Sequence, residues 1–306
     1  MVEDTVIKSQ DKPCVLENRV DLCHLYSQYT GIDKECIVAE NGLDKLVQVI
    51  ANTFIHKTDK IIMVSPDFSM YKVYTQINST KLEQQHLVKD LHLASEDLLN
   101  KTREIEPKSI FVVCPEHPED IVICKGELEK ILSSCGCLVI VDEAYFESCG
   151  ETLIKNVNKY NNLIILRTCS RFGYADIHTD FFIANEEIRN KLLKAKVSSN
   201  TELLTEKITA DIVKNRTIIE ENVSRLKFDR ENLLHELQNM TGVKVYLAQS
   251  NFFLVEFENA EEVNKKLVSR DIKVKRYDEG DLKNCLKIFV GNSEENRILI
   301  EALKEC

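Results

Sequence analysis

The sequence predicts an α/β fold, a mainly parallel sheet in a large first part followed by a smaller α+β part. Three observations carry this. Short buried-strand runs alternate with helical stretches from Lys60 to Ala184, the pattern of a parallel sheet covered on both faces. Residues 201–239 hold no Gly or Pro and repeat apolar residues at helical spacing. After Gly242 the pattern changes to short paired strands with two helices.

In chain order, residues 1–15 are polar and without period, as in a loosely docked arm. Leu16, Val20, Leu22, Cys23, Tyr26 and Tyr29 follow at helical spacing, and Gly31 can adopt the left-handed cap that ends the helix. Cys36–Val38 reads as extended. Asn41-Gly42-Leu43-Asp44 then turns into a helix carrying Leu46, Val47, Val49, Ile50 and Phe54. Such a turn offers backbone N–H groups to a phosphate or carboxylate, or simply caps its helix.

Strands are expected at Lys60–Val64, Lys81–Leu87, Ser109–Val113, Leu138–Val141, Leu163–Leu166 and Phe181–Ala184. Helices are expected at Phe68–Ile77, Ala94–Arg103 and Ile121–Ser134, and after Asn185, with Glu186 and Glu187 in the first turn. Pro66, Pro115 and Pro118 mark reversals just past strand ends. The stretch 201–239 gives one long helix or two abutting ones. Beyond it come strands Val243–Tyr246, Phe252–Phe257, Ile272–Arg276 and Leu286–Val290, and helices Ala260–Ser269 and Ser293–Lys304. The expected division is an arm and helix at 1–35, a large domain at 36–239, and a small domain at 240–306.

Composition narrows the function. The 306 residues are 43% hydrophobic with a net charge of -10, so the chain can bury a sizeable core and is a poor ligand for nucleic acid or an anionic membrane. No run is long and apolar enough to span a bilayer, and the first residues lack a signal-peptide core. A cytoplasmic protein is expected. The 11 cysteines are odd in number and mostly sit in apolar runs, which suits reduced thiols better than a disulfide framework. Cys135-Gly-Cys137 is a close pair without the further ligands of a zinc site.

The run Leu138–Asn185 organises the rest. One apolar run ends on Asp142-Glu143, and a second ends on Arg167-Thr168-Cys169-Ser170-Arg171. Open α/β sheets bind ligands at the carboxyl ends of their strands, so Asp142 and Ser170 are the first candidates.

At these residues the chain resembles the fold-type-I pyridoxal-phosphate aminotransferases, in particular their histidinol-phosphate aminotransferase branch. Asp142-Glu143-Ala144-Tyr145, Leu166–Ser170, Asn41–Asp44, Ser65–Tyr71, Val112–Pro118, Ala184–Glu187 and Leu286–Gly291 carry the likeness, from about residue 20 to the C-terminus. It implies a seven-stranded large-domain sheet and a homodimer with sites at its interface. It places the cofactor's pyridinium partner at Asp142, a tyrosine to the phenolic oxygen at Tyr145, and the stacking aromatic at Phe68. The phosphate cradle falls on Gly42, Leu43 and Asp44, with hydroxyls from Thr168 and Ser170.

Four positions depart from the family's pattern. Its Schiff-base lysine falls on Arg171, and no lysine stands between Tyr160 and Lys191. A guanidinium stays protonated and forms no imine. The family's asparagine falls on His117, its phosphate-binding arginine on His178, and its substrate-carboxylate arginine on Lys287. Arg171 could bind an anion or pair with Asp142 or Glu143. His117 and His178 could each be solvated or hydrogen-bonded rather than ligands. Lys287 could still hold a small carboxylate. Pyridoxal phosphate is expected to bind weakly or not at all. The expectation is a family member that has lost standard transamination and serves as a ligand- or protein-binding scaffold. The alternative is a pyridoxal- or pyridoxamine-phosphate enzyme acting on an amino acid or amino phosphate.

Overall fold

The computed structural model describes residues 20–64, 81–85, 95–113, 125–150, 152–171, 177–196, 203–246, 250–277 and 282–306. The arm at 1–15, the helix expected at 68–77, Phe68, Pro66, Pro115, Pro118 and His117 lie outside these residues.

Helix α1 (Leu22–Thr30) is capped by the Asp21 side chain on the His24 N–H and ends at Gly31, φ 76°. Strand β1 (Ile37–Asn41) leads into α2 (Leu43–Phe54), whose apolar residues Leu46, Val47, Ile50 and Ala51 all face inward. Strands β2 (Lys60–Val64), β3 (Lys81–Gln85), β4 (Ser109–Val113), β5 (Leu138–Asp142), β6 (Leu163–Thr168) and β7 (Thr179–Ala184) complete one sheet. Helices α3 (Ser95–Ile105), α4 (Lys125–Ser134), the short α5 (Phe146–Cys149) and α6 (Glu186–Ala195) lie between and after them. Asn185 caps α6 on the Ile188 N–H at 3.0 Å.

The sheet has seven strands in the order β1-β7-β6-β5-β4-β2-β3, as the resemblance implied. The run from β6 to β3 is parallel, while β7 is antiparallel to both of its neighbours. Strands with helices on both sides must be apolar on both faces, and β6 is buried at every residue. One face carries Ile62, Ile110, Val139, Ile165 and Phe181, and receives Tyr26 of α1. The Tyr26 ring stacks on Phe181 at 3.8 Å. The other face carries Val38, Phe111, Ile140, Leu166 and Phe182 under α2 and α6.

The stretch 203–238 forms two abutting helices, α7 (Leu203–Lys214) and α8 (Arg216–Gln238). The break falls at Asn215, φ -102° and ψ 74°, a residue whose side chain competes with the helix for backbone hydrogen bonds. Helix α8 serves two cores. Its Ile219 and Val223 pack in the large sheet's cluster, and its Leu233 and Leu237 pack against the C-terminal sheet.

That second sheet is antiparallel, in the order β10-β11-β9-β8. It comprises β8 (Val243–Tyr246), β9 (Phe252–Phe257), β10 (Lys275–Arg276) and β11 (Cys285–Phe289), with α9 (Ala260–Ser269) and α10 (Ser293–Lys304). The strand expected at 272–276 shrinks to two residues. Asp271 turns the chain at φ 61°, and among the described strands β10 pairs with β11 alone. Helix α10 starts with a capping box built by Asn292 and Glu295. Cys135 and Cys137 are buried between α4 and β5, where Asn162 donates to both of their carbonyls at 3.1 and 3.0 Å. Among the described residues, no group of three His, Cys, Asp or Glu can hold a metal, and no helix is long and apolar enough to cross a membrane.

Candidate functional site

Strands β5 and β6 are parallel neighbours, with Asp142 opposite Leu166. Asp142 and Ser170 therefore stand at adjoining strand ends. The period of two puts Asp142, Thr168, Asp180 and Glu40 on one face of the sheet, the face of Ile140, Leu166, Phe182 and Val38. Asp142 is buried and accepts the Ala144 N–H at 3.0 Å. Gly42 begins α2 at φ 99°, a conformation that favours glycine. Its N–H donates to the His178 carbonyl at 3.0 Å, which ties the start of α2 to β7. Asp44 is exposed in the first turn of α2, and Leu43 is half-buried.

The hydroxyls of Thr168 and Ser170 lie 2.7 Å apart, and the Ser170 N–H donates to Thr168 Oγ1 at 3.1 Å. Thr168 also hydrogen-bonds the Asp180 carboxylate. Burial pushes the Asp180 carboxyl up to about 6, and the Asp142 charge adds to this. The Thr168 hydrogen bond and the His178 and Arg171 charges oppose it. His178 itself is exposed.

Arg171 is exposed, with its guanidinium 5.5 Å from the centre of the Tyr145 ring. It does not form the pair with Glu143 that was one expectation. Glu143 instead holds Arg167, with Arg167 Nη2 and Nε donating to Glu143 Oε2 at 2.7 and 2.9 Å. Position 167 points to the opposite face of the sheet from Thr168, and Glu143 lies there with it. Both side chains are 1% exposed. Thr152 accepts from Arg167 at 2.8 Å and donates to Glu143 at 2.7 Å, and the Leu153 N–H donates to Glu143 at 2.7 Å. The guanidinium lies 3.7 Å over the Phe146 ring and 3.6 Å from Glu147. Burial pushes the Glu147 carboxyl up to about 7 against the pull of Arg167.

From the second sheet, Lys287 Nζ sits 3.7 Å over the ring of Phe252. Phe252 meets Tyr145 edge-on at 5.7 Å and Phe289 at 5.6 Å. Ring contacts thus link Arg171, Tyr145, Phe252 and Lys287, and the strand order sets Asp142, Thr168 and Ser170 at adjoining strand ends with Gly42 and His178 on the β7 side; together these make the candidate cleft. Sequence reasoning missed Asp180, Arg167 and Phe252. Asp180 had a readable signal, an acid inside an otherwise apolar strand. Phe252 had none, because its role depends on a strand register.

A parallel-centred seven-stranded sheet with a strand-end aspartate and tyrosine, closed by a small antiparallel sheet, defines an aminotransferase-type α/β protein. Residues 7–303 match the aminotransferase class I and II family, and the chain belongs to it as a histidinol-phosphate-aminotransferase-like member. It is 36% identical over 280 residues to a histidinol-phosphate aminotransferase of Clostridium novyi, covering 91% of this chain and 79% of that one. A histidinol-phosphate aminotransferase of Caldanaerobacter subterraneus is 33% identical over 281 residues, covering 91% and 80%. Among solved structures, the histidinol-phosphate aminotransferase of Clostridium acetobutylicum superposes with a TM-score of 0.87 at 21% identity, covering 99% of this chain and 92% of its own. That of Sinorhizobium meliloti, solved in complex with pyridoxal-5'-phosphate, gives 0.82 at 15%, covering 94% and 82%. These superpositions bear on the fold.

Proposed function

We propose that the cleft binds a small amino-acid or amino-phosphate ligand of the aminotransferase class, and that its chemistry does not pass through a lysine imine. One observation carries this. Arg171 follows Ser170 at the end of β6, beside the strand of Asp142, in the place the resemblance gives to the lysine. Its cationic head lies by Tyr145, and no lysine occurs between residues 160 and 191. An imine needs a neutral primary amine, and a guanidinium supplies none.

The described residues suit pyridoxal phosphate only in part. By the resemblance, Asp142 would pair with a pyridinium nitrogen and Tyr145 would face a phenolic oxygen. Position 171 carries a guanidinium in place of the amine, and the buried Asp180 carboxylate stands opposite Thr168 in the strand register. Cofactor binding would then be non-covalent and weak. Lys287 and Arg171, on opposite sides of the Tyr145–Phe252 contact, offer two positive charges for a ligand's carboxylate or phosphate. By the same resemblance we expect a cytoplasmic two-fold homodimer. A lone monomer in sedimentation at micromolar concentration would contradict the assembly.

The comparisons speak more directly for a second reading, a working pyridoxal-phosphate aminotransferase, because the likeness to histidinol-phosphate aminotransferases runs through nine-tenths of the chain. Absorbance after adding pyridoxal phosphate, then borohydride trapping and peptide mapping, separates the two. The first reading expects no phosphopyridoxyl-lysine peptide. A yellow protein that borohydride bleaches, yielding one such lysine in stoichiometric amount, establishes the second.

A further inference from the structure

We infer that Asp180 is a specificity-determining residue of the proposed cleft, a role that rests on the cleft taking a pyridine-ring ligand. Its carboxylate occupies the phosphate side of the cleft and turns the cradle's donors inward, so the cleft selects a nitrogen heterocycle without a phosphate group.

The hydrogen bonds give the argument. An ionised carboxylate only accepts. Asp180 stands opposite Thr168 in the strand register, so its carboxylate competes for the single Thr168 proton. Thr168 Oγ1 accepts the Ser170 N–H and lies 2.7 Å from the Ser170 hydroxyl, so Ser170 gives its proton to Thr168 whenever Thr168 donates to Asp180. A third donor, the Gly42 N–H, is taken by the His178 carbonyl. An incoming phosphate would compete for these donors with the contacts they already make.

Charge points the same way. On this face of the sheet Asp180 is flanked by Glu40 of β1, its register partner, and by Asp142 of β5. Glu40 and Asp180 are 2% and 3% exposed. Asp44 adds a further acid at the start of α2. Against them stand Arg171 and His178, both at the exposed rim, and Lys196, which is 3.4 Å from Glu40. Two negative groups forced together in a buried site repel strongly. A cationic or neutral heterocycle meets no such penalty and can give its ring proton to Asp142.

The test compares pyridoxamine phosphate with pyridoxamine, neither of which can form an imine with a stray lysine. Equilibrium dialysis is run on the unmodified protein and on Asp180→Asn, with inorganic phosphate as competitor. The unmodified protein should bind pyridoxamine at least as tightly as pyridoxamine phosphate, with no competition from inorganic phosphate. Asp180→Asn should tighten pyridoxamine phosphate by about tenfold or more while moving pyridoxamine by less than about twofold. If the unmodified protein prefers the phosphorylated probe by about tenfold, the inference is overturned without any variant, and the proposed cleft stands. Equal effects of Asp180→Asn on both probes also overturn it, since that is a structural role. If neither probe binds either form, the cleft takes no pyridine ring and the inference is overturned, while its binding of an amino acid or amino phosphate stands.

Discussion

Arg167→Met should be among the most destabilising single changes in the large sheet. The residue is 1% exposed, and its guanidinium meets Glu143 at 2.7 and 2.9 Å, Thr152 at 2.8 Å and the Phe146 ring at 3.7 Å. Methionine fills similar apolar volume, so the cost lies in the charge left behind. Glu143 keeps the Leu153 N–H and the Thr152 hydroxyl but loses its counter-ion in a dry site. Breaking one side of such a pair costs about 3–5 kcal/mol. Glu147 softens the loss little, because it can take up a proton. The double change Arg167→Met with Glu143→Gln removes both charges and keeps an acceptor for the Leu153 N–H. The new amide's oxygen accepts the Leu153 N–H, and its NH2 donates to Thr152 Oγ1, which Arg167 no longer occupies, so the double change should cost only about 1–2 kcal/mol. Urea unfolding followed by far-ultraviolet circular dichroism, at mildly alkaline pH, measures both. A single variant within about 1 kcal/mol of the parent, or a double variant as unstable as the single, would refute the account of a charge stranded by its partner's removal.

Two further outcomes are expected. The Glu147 carboxyl lies at about 7 in the fold against an ordinary 4.5. Its protonated form thus contributes stability that is fully present below about 4.5 and is lost as the pH rises through about 7. The loss amounts to up to about 3 kcal/mol. The urea midpoint should fall over that window in the parent and fall less in Glu147→Gln; equal slopes would exclude Glu147 as the source. Gly42→Ala should cost about 1–2 kcal/mol from backbone strain alone, since φ is 99° and a Cβ there meets nothing within 4 Å. An unchanged unfolding midpoint would show that the start of α2 can relax to negative φ.

Much of the fold was legible because burial on both faces leaves a plain mark. Ile61–Val64, Ile110–Val113 and Leu138–Val141 are apolar whichever way their residues point. Local chemistry was equally readable where a side chain bonds its own neighbours, as with Gly31 ending α1 and Asn185 opening α6. What failed to show depends on partners far away in sequence. The choice of Arg167 over Arg171 for Glu143 follows from the alternation of β6, which sends 167 to the α1 face, while Arg171 lies beyond the strand end, by Tyr145. Asp180 reads as an oddity in a strand until β7 is placed between β1 and β6, which brings it to Thr168. The link from Lys287 through Phe252 to Tyr145 needs the register of β9 with β11 and the contact between the two sheets.

The placement of β7 also sets a timetable for synthesis. Among the described residues, strand β1, residues 37–41, has no hydrogen-bonding strand beside it except β7, residues 179–184. A nascent chain emerging from the ribosome must hold Ile37 and Val38 in waiting until Ala184 is out. Contacts so distant in sequence form slowly. During that interval the half-built sheet exposes an apolar edge at β6, and the emerging polypeptide is open to aggregation or to capture by a chaperone. Stalling translation just before residue 179 should thus yield a protease-sensitive chain, and stalling well beyond Ala184 a resistant one.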